Sequence, residues 1–192
     1  MEIISISGLD GSGKSTQIQL LQEHFEHNNK KVFYFHAVDF SIANILNKTN
    51  AKSSKSKDVV SAPSSKIFLR KIALFIDTYR FKFLIHKLTR EGYDYILTDR
   101  YFYDMIVNIA YLSKKSYTPF FLSKITIPDY KFYLNVNSNN IMSRDNPPTQ
   151  GINYLQDKKK LFEKYKLAFE LKEVDGNRGE KEIFEELWRY IM

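Results

Sequence analysis

Apolar positions along this chain follow two alternating rhythms. Residues 2–7 carry Ile3, Ile4 and Ile6 with little polarity, which predicts a short buried strand. A Gly-rich stretch at 8–13 follows. Ile18, Leu21 and Phe25 then fall on one face of a predicted helix over 14–27, which ends at Asn28 and Asn29. Val32 to Phe35 predict a second strand over 31–36, and residues 40–46 a short helix. The segment 47–65 is rich in Ser, Lys and Asn, has almost no apolar residue before Val59, and contains Pro63, so it is expected to be a mobile loop rather than a linker. Phe68, Ile72, Phe75, Tyr79 and Phe83 recur at helical spacing and predict a long helix over 65–90, stopped by Gly92.

The second half repeats the alternation. A third strand is expected over 93–98, running into Asp99 and Arg100, then a helix to about 112. Pro128 and Asp129 precede a fourth strand over 131–136, and 137–144 is a short helix. Pro147, Pro148 and Gly151 mark a loop before a helix over 156–171 carrying Leu161, Phe162, Tyr165 and Phe169. A last strand over 172–175 and a last helix over 180–191 complete the chain. Strands alternating with helices throughout predict an α/β fold, a five-stranded parallel sheet between helices in three αβα layers. No internal repeat or second domain is visible, so residues 1–192 are read as one domain.

Composition narrows the chemistry. The chain has no Cys, which excludes disulfides, thiolate metal sites and Cys nucleophiles. Any metal would be held by oxygens or by the four His, which favours a hard ion such as Mg²⁺. No apolar run approaches a membrane span and no signal peptide is apparent, so a soluble, cytoplasmic protein without a membrane partner is expected. The net charge of +7 suits an anionic partner, either nucleic acid or a small phosphate ligand. Most of that charge is scattered Lys, as on a solvated surface. The few Arg are the natural place to look for phosphate clamps.

Gly8-Leu9-Asp10-Gly11-Ser12-Gly13-Lys14-Ser15-Thr16 fits G-x-x-x-x-G-K-[ST] in full, after an apolar strand and before an amphipathic helix. The spacing has a physical cause. A Gly-rich turn lets successive backbone N–H groups surround a polyphosphate. The helix that follows adds unpaired N–H groups and the positive end of its dipole. Lys14 can reach the β- and γ-phosphates of ATP, and the Ser15 hydroxyl can serve Mg²⁺. The alternative is a chance Gly-rich turn, and the strand-before, helix-after context argues against it.

The remaining candidates each carry an ordinary alternative. Asp99 ends a strand beside the phosphate loop, where an open parallel sheet binds ligands. It could serve Mg²⁺ or an attacking oxygen, or simply cap the next helix. Arg100 could grip an acceptor phosphate through its planar fork. Arg80 could pair with Asp77 on its own helix. Arg144 precedes a Pro-rich loop and could act from a moving lid, or merely meet a helix dipole. Arg178, after the last strand, could lie along a purine or sit in a plain turn.

Taken together, these residues resemble the thymidylate kinases among the P-loop nucleoside-monophosphate kinases. The resemblance rests on the phosphate loop, Arg80 in the long helix, Asp99-Arg100-Tyr101, Pro128-Asp129, a lid with Arg144 and Val174-Asp175-Gly176. It implies ATP and Mg²⁺ as cofactors, with Gly8, Gly11, Ser12, Gly13, Lys14, Ser15, Thr16, Asn177 and Arg178 on ATP. It places Asp10 on the sugar 3′-hydroxyl, Arg100 on the acceptor phosphate and Asp99 by the metal and the acceptor. Arg80 would reach the base, Phe75 or Ile76 would lie against its ring, and Tyr101 and Tyr154 would be near the acceptor. The lid would span about 143–156, with Arg144 catalytic beside Lys14, Asp99 and Arg100. A homodimer is implied as well.

Two departures stand out. The family's Phe-Pro-x-x-Arg-like stretch reads Phe35-His36-Ala37-Val38-Asp39-Phe40, and the lid has a single Arg. The expected reaction is transfer of the ATP γ-phosphoryl to dTMP. The alternatives are another monophosphate or nucleoside acceptor, and a nucleotide-binding regulator that has lost its reaction. A nucleic-acid role, suggested only by charge and the Lys-rich loop, ranks below these.

Overall fold

A computed structural model describes residues 1–44 and 60–192. The expected loop over 47–65 therefore lies mostly outside the described residues. The order is β1 (Glu2–Gly8), α1 (Lys14–His27), β2 (Val32–Phe35), α2 (Ala37–Phe40), α3 (Ser64–Arg90), β3 (Tyr95–Asp99) and α4 (Phe102–Ser113). After a 3₁₀ turn at Leu122–Lys124 come β4 (Tyr130–Asn135), α5 (Ser138–Met142), α6 (Gly151–Lys166), β5 (Lys172–Asp175) and α7 (Glu180–Ile191).

The five strands form one parallel sheet in the order β2-β3-β1-β4-β5. Both neighbours of β1 are reached through helical crossovers. Helices α1 and α7 pack together on the sheet, while α3, α4 and α6 pack side by side through α4. Ile4, Ile6, Ile96, Leu97, Phe132 and Leu134 are fully or nearly fully buried, which explains why these strands read as continuous apolar runs. In register, Ile6 faces Asp99 and Gly8 faces Leu134. The C-terminal ends of β1, β3 and β4 thus open on one edge, and every candidate loop leaves from it.

Three elements differ from expectation. A short helix not expected forms at Ala37–Phe40, where His36 Nδ1 accepts the Asp39 N–H at 3.3 Å and starts it. Of the helix expected over 40–46, residues 42–44 are helical and 45–46 lie outside the described residues. Helix α6 begins at Gly151, since Gly151 N bonds the Pro148 carbonyl at 3.2 Å and burial of Tyr154 and Leu155 extends the helix toward the turn. In α3 the buried face is Ile67, Leu74, Phe81 and Leu88, repeating every seven residues. Of the aromatic stripe, Phe68 (63% exposed), Ile72, Tyr79 and Phe83 (76%) face outward, while Phe75 is half-buried against the core.

Candidate functional site

Three of the phosphate-loop glycines have backbone angles that favour no side chain: Gly8, Gly11 and Gly13 all have positive φ. Gly8 is the tightest, because a Cβ there would stand 2.9 Å from the Leu134 carbonyl oxygen on β4. Asp104 on α4 fixes the loop's entry, accepting from Ser7 Oγ at 2.6 Å, Gly8 N at 3.3 Å and Tyr101 N at 2.9 Å. This anchor was not foreseen in the sequence, where Asp104 looks like an ordinary helix acid.

Beyond the loop lies a cavity of about 600 Å³. Gly11, Gly13, Lys14, Ser15 and Thr16 line it from the loop, Asp99 and Arg100 from the end of β3, and Arg144 from the loop after α5. Lys14 is buried and turns back on its own loop, donating to the Leu9 carbonyl at 2.6 Å and to Ser12 Oγ at 3.4 Å. Burial, with Arg100 nearby, pulls its pKa below the usual lysine value. The Ser15 hydroxyl bonds Asp99 Oδ2. Asp99 therefore does not cap α4, whose N-cap is Tyr101. The Ser15 and Asp99 oxygens form a hard donor pair of the kind that fits Mg²⁺.

Arg100 adopts φ 69°, the left-handed region in which a Cβ crowds the following carbonyl oxygen, at a cost of about 1–2 kcal/mol. Its N–H bonds the Ile6 carbonyl at 3.2 Å and its own carbonyl accepts from Ala37 N at 3.3 Å, which hold the turn. The side chain pairs with Asp10 Oδ1, and Tyr154 donates to Asp10 Oδ2 at 2.7 Å. Burial alone would push Asp10 up; Arg100, Lys158, Lys14 and the Tyr154 hydroxyl outweigh it and hold the carboxyl far below its usual range. Arg144 donates Nη1 to the Gly11 carbonyl at 2.6 Å, so the loop after α5 is latched to the phosphate loop.

Other expected residues stand apart. Tyr101 is fully buried and its hydroxyl bonds the Thr126 carbonyl at 2.5 Å, which makes its side chain a core element rather than an acceptor contact. Phe75 packs on Tyr79, Phe120 and Phe121, and Ile76 is 40% exposed; neither lines the cavity. Arg80 pairs with buried Asp77 at 2.7 Å, bonds the Phe40 carbonyl at 2.9 Å and stacks on the Phe40 ring. Arg178 pairs with Glu186, and Asn177 accepts from Asn137 N and Asn140 Nδ2, each at 2.9 Å. Three lining residues were missed: His36, just after β2, and Asp145 and Asn146, within the expected lid but not singled out there.

Comparison with known proteins agrees with this fold. The family model for thymidylate kinase matches residues 6–180. The chain belongs to the thymidylate kinase family. A thymidylate kinase from Plasmodium falciparum (isolate 3D7) is 29% identical over 175 residues, covering 86% of this chain and 76% of that one. A solved thymidylate kinase from Candida albicans, described for its broad substrate specificity, shares the fold with a TM-score of 0.65 at 20% identity, over 99% of this chain and 90% of that one. In this family frame the chain is a P-loop nucleotide kinase, and no helix among the described residues is long and apolar enough to cross a membrane.

Proposed function

We propose that this protein moves the γ-phosphoryl group of ATP to a pyrimidine deoxynucleoside monophosphate, with dTMP the leading acceptor. One observation carries the reading: a phosphate loop, two basic side chains from other elements and a Ser–Asp oxygen pair converge on one cavity. Reaction is by direct in-line displacement, so the protein's work is positioning and charge stabilisation. Gly8 to Thr16 hold the triphosphate, and Lys14 exchanges the Leu9 carbonyl for phosphate oxygens. Ser15 and Asp99 would hold Mg²⁺, which neutralises charge on the transferring group. Arg100 grips the acceptor phosphate, and Asp10, with Tyr154, takes the sugar 3′-hydroxyl. Arg144 leaves Gly11 and meets the transferring group from the lid at about 143–156. Asn177 and Arg178 lie beyond β5, on the side proposed for adenine. Arg80, beside Phe40, is proposed for the base, with Phe75 or Ile76 flanking it.

The outward stripe of α3 supports a homodimer, in which Phe68, Ile72, Tyr79 and Phe83 of two copies cover each other. Light scattering at micromolar concentration should give twice the 22.7 kDa chain mass. A coupled ADP-release assay with dTMP, dUMP, dCMP, dAMP and dGMP tests the acceptor. Lys14→Ala and Arg100→Ala should each abolish turnover while circular dichroism stays unchanged; near-normal rate in either variant removes its assigned role. A second reading, a nucleotide-binding regulator, is favoured by the lack of an Arg at Ala37–Phe40. It is supported if ATP binds and no monophosphate stimulates ADP release.

A further inference from the structure

Lys158 is a buried cation that this phosphoryl-transfer scheme leaves without a task. It lies on α6 one turn beyond Tyr154 and is 6% exposed. Its Nζ donates to the Tyr154 hydroxyl at 3.3 Å and to Asn108 Oδ1 on α4 at 3.4 Å. Charged donors ordinarily approach to about 2.7–2.9 Å, so both bonds are loose. An ammonium has three protons, and the third has no partner among the described residues.

The charged groups facing Lys158 come from several elements: Asp10 in the phosphate loop, Lys14 on α1, Arg100 after β3 and Asp104 on α4. On its own helix it meets Tyr154, whose ring Tyr111 packs against edge-on. Asp104 is already committed to Ser7, Gly8 and Tyr101. Asp10 and Arg100 neutralise each other. Lys158 is therefore a positive charge in excess of its local carboxylates, held where water is scarce. Such a charge is unfavourable at rest and becomes useful when an anion arrives.

We propose that Lys158 is the reserve counter-ion of Asp10: when Arg100 is shared with the acceptor's phosphate, the Lys158 ammonium takes up the balance of the Asp10 charge beside Tyr154. The inference rests on the monophosphate reading above. A phosphate dianion brings up to two negative charges to a guanidinium that already serves one carboxylate. Without a further cation, Asp10 and the phosphate would repel across Arg100. Lys158 touches neither reacting oxygen in this scheme, so it is a positioning residue that sets acceptor affinity through Asp10. Its pKa, brought down to about 8 chiefly by burial, gives the effect a pH signature.

The test is a calorimetric cycle with dTMP and the full-length protein: wild type, Lys158→Met, Lys158→Arg, Asp10→Asn, and the Met–Asn double variant. At pH 7, Lys158→Met should bind dTMP about tenfold more weakly with ATP affinity unchanged, and Lys158→Arg should recover most of the loss. Adding Lys158→Met to Asp10→Asn should cost nothing more. Wild-type affinity should fall from pH 8 to 9.5 while that of Lys158→Met stays level. A merely structural lysine would move none of these readings together. Unchanged dTMP affinity in Lys158→Met, or losses that simply add in the double variant, overturns the proposal. If the wild type binds no monophosphate at all, the functional reading itself fails.

Discussion

Replacing Lys158 with Met should make the protein more stable, and the gain should depend on pH. The lysine ordinarily titrates near 10.5, and in the folded chain burial brings it to about 8. At about 1.4 kcal/mol per tenfold in the protonation equilibrium, keeping that ammonium charged costs the fold up to about 3 kcal/mol at neutral pH. Met has a similar volume and no charge to desolvate. Part of the gain is offset, because Asp10 loses one of its cations and Tyr154 and Asn108 lose a donor. A net gain of about 1–3 kcal/mol corresponds to about 3–10 °C in Tm for a chain of this size. Between pH 8 and 10.5 the unfolded chain holds the lysine's proton more tightly than the folded one. The wild-type penalty is therefore full below pH 8 and fades as pH rises toward 10.5. Paired melts of both proteins by circular dichroism at pH 7 and pH 10 isolate this group, since other titrations are common to both. A variant that melts lower at pH 7, or whose advantage is the same at pH 10, refutes the electrostatic reasoning.

Three further outcomes follow from the same geometry. Gly8→Ala should lose about 2–4 kcal/mol and most ATP affinity, because its Cβ meets a backbone carbonyl that cannot move aside; melts and ATP titration check both. Asp104→Ala strands three buried donors and should cost at least about 3 kcal/mol by urea denaturation, with Asp104→Asn recovering part of it. Arg144→Ala should reduce kcat about a hundredfold or more with Tm unchanged within about 1 °C, since its side chain is exposed and its one bond goes to Gly11; a small kcat effect would remove Arg144 from the transition state.

How much of this was legible depended on whether a feature is local. The bounds of β5 and α7 and the whole phosphate loop are visible because period, glycine placement and helix start all agree over a few residues. The stripe of Phe68, Ile72, Tyr79 and Phe83 was equally periodic, yet it faces away from the core. Helix α3 has two apolar faces, and only packing against α4 decides which one is buried. Tyr101, read beside Arg100 as a ligand contact, is turned into the core by the start of α4. Lys158 looked like one more surface lysine in Lys158-Lys159-Lys160. Its burial follows from α6 lying against α4, a long-range contact that no local pattern encodes.

At rest, each basic group of the cleft already has an acceptor supplied by the chain: Leu9 for Lys14, Gly11 for Arg144, Asp10 for Arg100. An incoming anion competes with these contacts before it gains its own. A lone orthophosphate can replace one of them and gains little. In the proposed reaction a triphosphate tail would exchange the Lys14 and Arg144 contacts in a single event, so that each loss is offset by several new bonds at once.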